Sequence, residues 1–131
     1  MMPDLSAAPR AVQDFAGWLS ERGNPLEQRS YDSASNQLLQ AHASWGTVQV
    51  LADRGQWFVE LAPPVAQEFF DTAVWTSCLA GAEVSLELEP LDAQVGWLEE
   101  YLAGEPNVEV TVACLRDARR RRAYGRMGLE R

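Results

Sequence analysis

The residues able to do chemistry are few, and their spacing decides little in favour of catalysis. His42 is the single histidine of 131 residues, and no neighbour in sequence would make it a base or a ligand. No Gly-x-Ser-x-Gly elbow occurs, and neither Cys78 nor Cys114 has a histidine nearby to activate it. Gly125 and Gly128 lie among arginines without the pattern of a phosphate-cradling loop. Glu60 and Asp71 form a carboxylate pair that could exchange a proton or hold a divalent cation. The acids are scattered, however, and no compact ligand set surrounds that pair in sequence. The reading is a non-enzyme with no cofactor and no metal.

The sharper pattern is a comb of carboxylates. Val84, Leu86 and Leu88 alternate with Glu83, Glu87 and Glu89, and Val108, Val110, Val112 and Cys114 alternate with Glu109. A period of two predicts strands whose apolar residues face a core and whose glutamates face the other way. On neighbouring strands, Glu83, Glu87, Glu89 and Glu109 would share one sheet face. Like charges directly opposed on a sheet cost roughly 0.2–1 kcal/mol per pair. A cationic partner would offset that cost.

The wider charge distribution points the same way. Nineteen acids face eleven bases, all arginine, for a net charge of −8. Residues 1–115 carry seventeen acids and four arginines, whereas residues 116–131 carry seven arginines and two acids. Such a body repels nucleic acid and anionic membrane and draws in a basic protein. The run Arg119-Arg120-Arg121-Arg122, with Arg116 and Arg126, is the one feature that favours nucleic acid. Its reading here is a solvated or self-neutralising helix or tail. The start, Met1-Met2-Pro3-Asp4-Leu5, has neither a basic nor an apolar run, and residues 33–52 are uncharged but too polar to span a bilayer. A cytoplasmic location is expected, with Cys78 and Cys114 as separate, small, buried hydrophobes.

These residues need elements to carry them. Val12, Phe15, Ala16 and Leu19 predict a first helix, capped by Ser6, begun near Pro9 and ended at Gly23. Residues 24–35 read as a connection and 36–43 as a strand. A hairpin follows, with strands 47–52 and 56–61 around a three-residue Asp53-Arg54-Gly55 turn and a stop at Pro63-Pro64. Val65–Leu79 is helical, either as one helix or with Asp71 capping a helix of its own, and closes at Gly81. Asp92 opens a helix with Val95, Leu98 and Leu102 inward and Trp97 beside Tyr101, ended by Gly104. The expected fold is α+β: a mainly antiparallel sheet of four or five strands with helices packed on one face. One domain over 1–115 and an Arg-rich C-terminal helix or tail over 116–131 are expected.

An acidic α+β domain with the Asp53-Arg54-Gly55-Gln56-Trp57-Phe58-Val59 hairpin resembles the immunity proteins of bacterial polymorphic toxin systems. The likeness covers the hairpin and, more loosely, the region through the Asp92–Leu102 helix, about half the chain. It implies a binding protein that blocks a cognate toxin, often a basic nuclease. It assigns no contact residue here.

The combined expectation is a domain that neutralises a cationic protein partner through Glu83, Glu87, Glu89 and Glu109, with Trp45 and Trp75 as candidate aromatic anchors. The alternative is a small structural or regulatory subunit that binds a non-toxin protein through apolar contacts.

Overall fold

Val12, Phe15 and Leu19 do share a buried stripe, on helix α1, Arg10–Glu21. A computed structural model describes residues 4–64, 66–87, 89–104 and 110–127. Ser6 does not cap α1. Its N–H and hydroxyl both donate to Asp4 Oδ1, at 3.0 and 2.7 Å, and Pro9 takes the N-cap position. Gln13 Nε2 reaches back to donate to the Ala8 carbonyl at 3.0 Å, tying the entering chain to the helix.

Four strands follow as an antiparallel meander in the order β1-β2-β3-β4: β1 Glu27–Ser33, β2 Asn36–Ala43, β3 Gly46–Asp53 and β4 Gln56–Ala62. β1 corrects the expected connection. All its residues but the last are exposed, so it has no buried face to leave a hydrophobic period. Two bulges leave Arg29 and Asp32 outside its ladder with β2, a device that blunts an open sheet edge.

The hairpin turn is also tighter than expected. Asp53 still pairs with Gln56, leaving only Arg54 and Gly55 in the loop, at φ 54° and 79°. Both are left-handed, as a type I′ turn requires. The neighbouring β1–β2 turn buttresses it: Arg54 N–H donates to Asn36 Oδ1 at 2.9 Å, and Gly55 N–H to the Ser35 carbonyl at 3.1 Å.

The core gathers on one face of the sheet. Leu39 and Ala41 from β2, Val48 and Val50 from β3, and Val59 and Leu61 from β4 meet Val12, Phe15 and Leu19 of α1. Val95, Leu98 and Leu102 complete it from helix α3, Leu91–Ala103, where Trp97 stacks on Tyr101 at 5.0 Å. The opposite face carries half-buried Leu38, Leu51 and Phe58 in one cross-strand row, beside a row of Gln40, Gln49 and Glu60.

Of the two readings of Val65–Leu79, the second holds: helix α2 is Thr72–Ala80, and Asp71 Oδ1 caps it by accepting Val74 N–H at 3.1 Å. Before it, Phe70 pairs with Leu61 as an isolated antiparallel bridge, so the outer edge of β4 is already occupied.

The expected strands at 83–89 and 108–115 are not strands. The described part of 82–90 is irregular, and residues 105–109 lie outside the described residues. Helix α4, Val112–Arg126, takes up Val112, Cys114 and Leu115, with Thr111 Oγ1 capping it by accepting Cys114 N–H at 3.1 Å. Thr111 offers the start signal, and Leu115, Ala118 and Arg122 form the buried side at helical spacing. The arginine run is thus part of a docked helix.

The cysteines are a further correction. α2 packs on α4 and brings the Cys78 and Cys114 Cα atoms to 6.0 Å, where they form a disulfide. Thirty-six residues of separation conceal a pairing that only helix packing creates.

Candidate functional site

The segment joining α2 to α3 carries Glu83, Glu87 and Glu89, all exposed. Having no strand partner, its backbone is held by side chains instead. Ser77 Oγ donates to the Ala82 carbonyl at 2.6 Å, Ser85 Oγ to Glu87 O at 2.8 Å, and Gln94 Nε2 to Glu89 O at 2.6 Å. From α4, Arg126 Nε donates to Leu86 O at 2.7 Å. Val84 is buried and anchors the segment to the core. The backbone is therefore pinned while the carboxylates point outward.

Glu83, Glu87 and Glu89 line a cavity of about 170 Å³ together with Thr76, Ser77 and Trp97. An aromatic ring and hydroxyls beside carboxylates suit a cationic side chain, which gains from both charge and ring contact. Three of the four expected glutamates thus come together, around a cavity between helices and not on a sheet face. Glu109 lies outside the described residues.

The two expected aromatic anchors part company. Trp75 is buried, 2% exposed, and its Nε1 donates to the Leu61 carbonyl at 2.8 Å. It is a core residue that ties α2 to β4, because Trp75 and Leu79 lie on opposite sides of what a period of four suggested was one face. Trp45 is half-buried in the β2–β3 turn and packs against the core edge. Sequence reasoning missed Trp97, which it treated only as a partner of Tyr101, and Leu86, which it placed inward but which is 46% exposed.

The body's other carboxylates are engaged with its own arginines. Arg116 and Arg119 both bind Glu68, each at 2.6 Å. The Arg116 bond, with help from Arg119, holds the Glu68 carboxyl below its ordinary pKa despite some desolvation. Arg122 clasps Asp71 through two parallel hydrogen bonds. Arg119 also lies over the Phe70 ring at 4.7 Å. Arginines 116, 119, 122 and 126 therefore form the stripe by which α4 grips the domain.

The Glu60–Asp71 pair does come together, since Asp71 follows the Leu61–Phe70 bridge and its charge acts on Glu60. Glu60 accepts from Gln49 Nε2 at 3.1 Å, and Gln49 Oε1 accepts from Gln40 Nε2 at 3.0 Å. Burial pushes the Glu60 pKa up and the Asp71 charge adds to it, against the Gln49 hydrogen bond and the Arg119 charge. With Asp71 already committed to Arg122, the pair is an internal network. No group of three or more His, Cys, Asp or Glu able to hold a metal occurs among the described residues.

His42 sits on the exposed sheet surface. Its Nε2 accepts from Arg29 at 3.0 Å, which leaves Nδ1 to donate to Thr47 Oγ1 at 2.9 Å. Among the described residues, no helix is long and apolar enough to cross a membrane.

Against family models, curated proteins and solved structures, the chain has no match. Function is accordingly argued from the site itself.

Proposed function

We propose that this is a non-catalytic, immunity-like protein-binding domain that neutralises a cationic protein partner, such as a toxin domain, through the acidic segment between α2 and α3. The supporting observation is that Glu83, Glu87 and Glu89 are held outward around one cavity by a backbone whose carbonyls are occupied. Preorganised charge of this kind speeds encounter and fixes orientation more than it adds raw affinity. Trp97 and Leu86 replace Trp75 as apolar contacts beside the glutamates. The proposed place of action is the cytoplasm of a bacterium.

The test is capture of partners from the native host by wild type and by the Glu87→Lys/Glu89→Lys variant, followed by association kinetics on the captured protein. The reading expects a basic partner whose association rate falls about tenfold or more from low to physiological salt. The charge-reversed variant should slow it again while keeping a native circular dichroism spectrum. A rate indifferent to salt and to charge reversal overturns the reading.

One observation favours the second reading, a structural or regulatory subunit with apolar contacts. Leu86 at 46%, Tyr124 at 39% and Met127 at 67% exposure cluster where Leu86 packs on Gly125. Under that reading Leu86→Asp abolishes capture, and salt leaves it unchanged.

A further inference from the structure

Helix α4 owes little of its docking to apolar burial. Leu115 and Ala118 are its buried apolar residues. The rest is polar or covalent: Arg116 and Arg119 on exposed Glu68 contacts, Arg122 on Asp71, Arg126 on the Leu86 carbonyl, and the disulfide from Cys114 to Cys78 on α2. Exposed ion pairs hold weakly and yield to salt. The disulfide is thus the tie whose loss changes α4 most.

The placement of the two sulfurs is asymmetric. Cys114 is the third residue of α4, a first turn with no acidic side chain, where helix N–H groups stabilise a thiolate. Cys78 is in the last turn of α2, the end that disfavours negative charge. Both residues are half-buried, within reach of a small reagent. Cys114 is therefore the better leaving group, and attack at Cys78 the favoured direction.

We propose that the Cys78–Cys114 bridge is a reversible thiol latch on α4, locking the helix when oxidised and leaving it to its arginines when reduced. The reductant is a dithiol. One of its thiolates attacks Cys78 Sγ, the S–S bond breaks, and Cys114 leaves as a thiolate that takes up a proton. The second thiol of the reductant then closes onto the mixed disulfide, releasing the Cys78 thiol and an oxidised cyclic dithiol. Two electrons and two protons pass to the protein. Opening lifts Arg119 from the Phe70 ring, uncovers Glu68 and Asp71, and withdraws Arg126 from the Leu86 carbonyl. The latch stands whether or not the acidic segment binds a cationic partner.

Hydrogen exchange on the full chain, before and after dithiothreitol, tests it. Thiol alkylation with mass spectrometry should find one disulfide in the oxidised protein and two alkylated cysteines after reduction. Reduction should speed exchange in residues 112–126 by about tenfold or more while β2, β3 and β4 keep their protection. High salt should speed it further only in the reduced form, and reoxidation should restore the slow state. Cys114→Ser should match the reduced protein and ignore reductant; if that variant does not fold, the wild-type comparison decides alone. The proposal is overturned by unpaired thiols in the oxidised protein, by a smaller change in α4, or by equal loosening of the sheet, which would make the bridge a staple for the whole fold.

Discussion

Arg122 and Asp71, 51 residues apart in the chain, meet side by side: Nη1 donates to Oδ1 at 2.9 Å and Nη2 to Oδ2. Oδ1 also accepts the Val74 N–H that starts α2. One carboxylate thus caps one helix and anchors another. At 9% and 15% side-chain exposure, the pair is nearly out of water.

Breaking such a pair strands a charge. Arg122→Ala is expected to cost about 3 kcal/mol, near the lower end for a buried pair, whereas Arg116→Ala should cost about 1 kcal/mol or less as an exposed ion pair. Urea unfolding of the two variants checks the contrast. Equal losses would mean that the Arg122 pair is as solvated as the Glu68 contacts.

Glu60 makes a pH-dependent prediction. Its folded-state pKa lies above the ordinary 4.5, chiefly through burial. The folded protein therefore binds this proton more tightly than the unfolded chain does. Glu60's contribution is most favourable below 4.5 and is lost as pH rises through the folded pKa. Glu60→Gln removes the buried charge and can still accept from Gln49. Its melting temperature should exceed wild type at neutral pH and converge on it in acid. A neutral-pH melting temperature equal to wild type would contradict the desolvation of Glu60.

The Arg54-Gly55 turn forces a side-chain-bearing residue to φ 54°. Asn-Gly is the preferred pair for a type I′ turn, so Arg54→Asn is expected to add about 0.5 kcal/mol. Thermal unfolding measures it, and a loss of stability would show that the arginine side chain makes a contact worth more than the strain.

Gly46 opens β3 at φ 123°, where an added Cβ would sit 2.1 Å from the Ala62 carbonyl oxygen. Backbone cannot give way as a flexible side chain can. Gly46→Ala is expected to cost more than about 2 kcal/mol through strain and loss of the β3–β4 ladder end. Wild-type stability in this variant would place Ala62 elsewhere.

Much of the scaffold was legible locally. Val12, Phe15 and Leu19 at helical spacing, the alternation through Val48, Val50, Val59 and Leu61, and Val95, Leu98 and Leu102 each face the core because their own period leaves them no other side. β1 was invisible, since an exposed edge strand such as Glu27–Ser33 is chosen by its neighbour's open hydrogen bonds and not by an apolar face. At 83–89 the alternation was real but had no ladder to join, because the Phe70 bridge occupies the β4 edge. The type of each residue, the acidity of the body and the basicity of the C-terminal helix belonged to the chain alone. Tertiary packing determined which charges would meet: it set Arg122 on Asp71, Arg116 and Arg119 on Glu68, and Cys114 on Cys78. It also gathered Glu83, Glu87 and Glu89 around Trp97. Periodicity reports only which side of an element is dry. Partners across dozens of residues are selected by how the helices stack, and no local pattern encodes that.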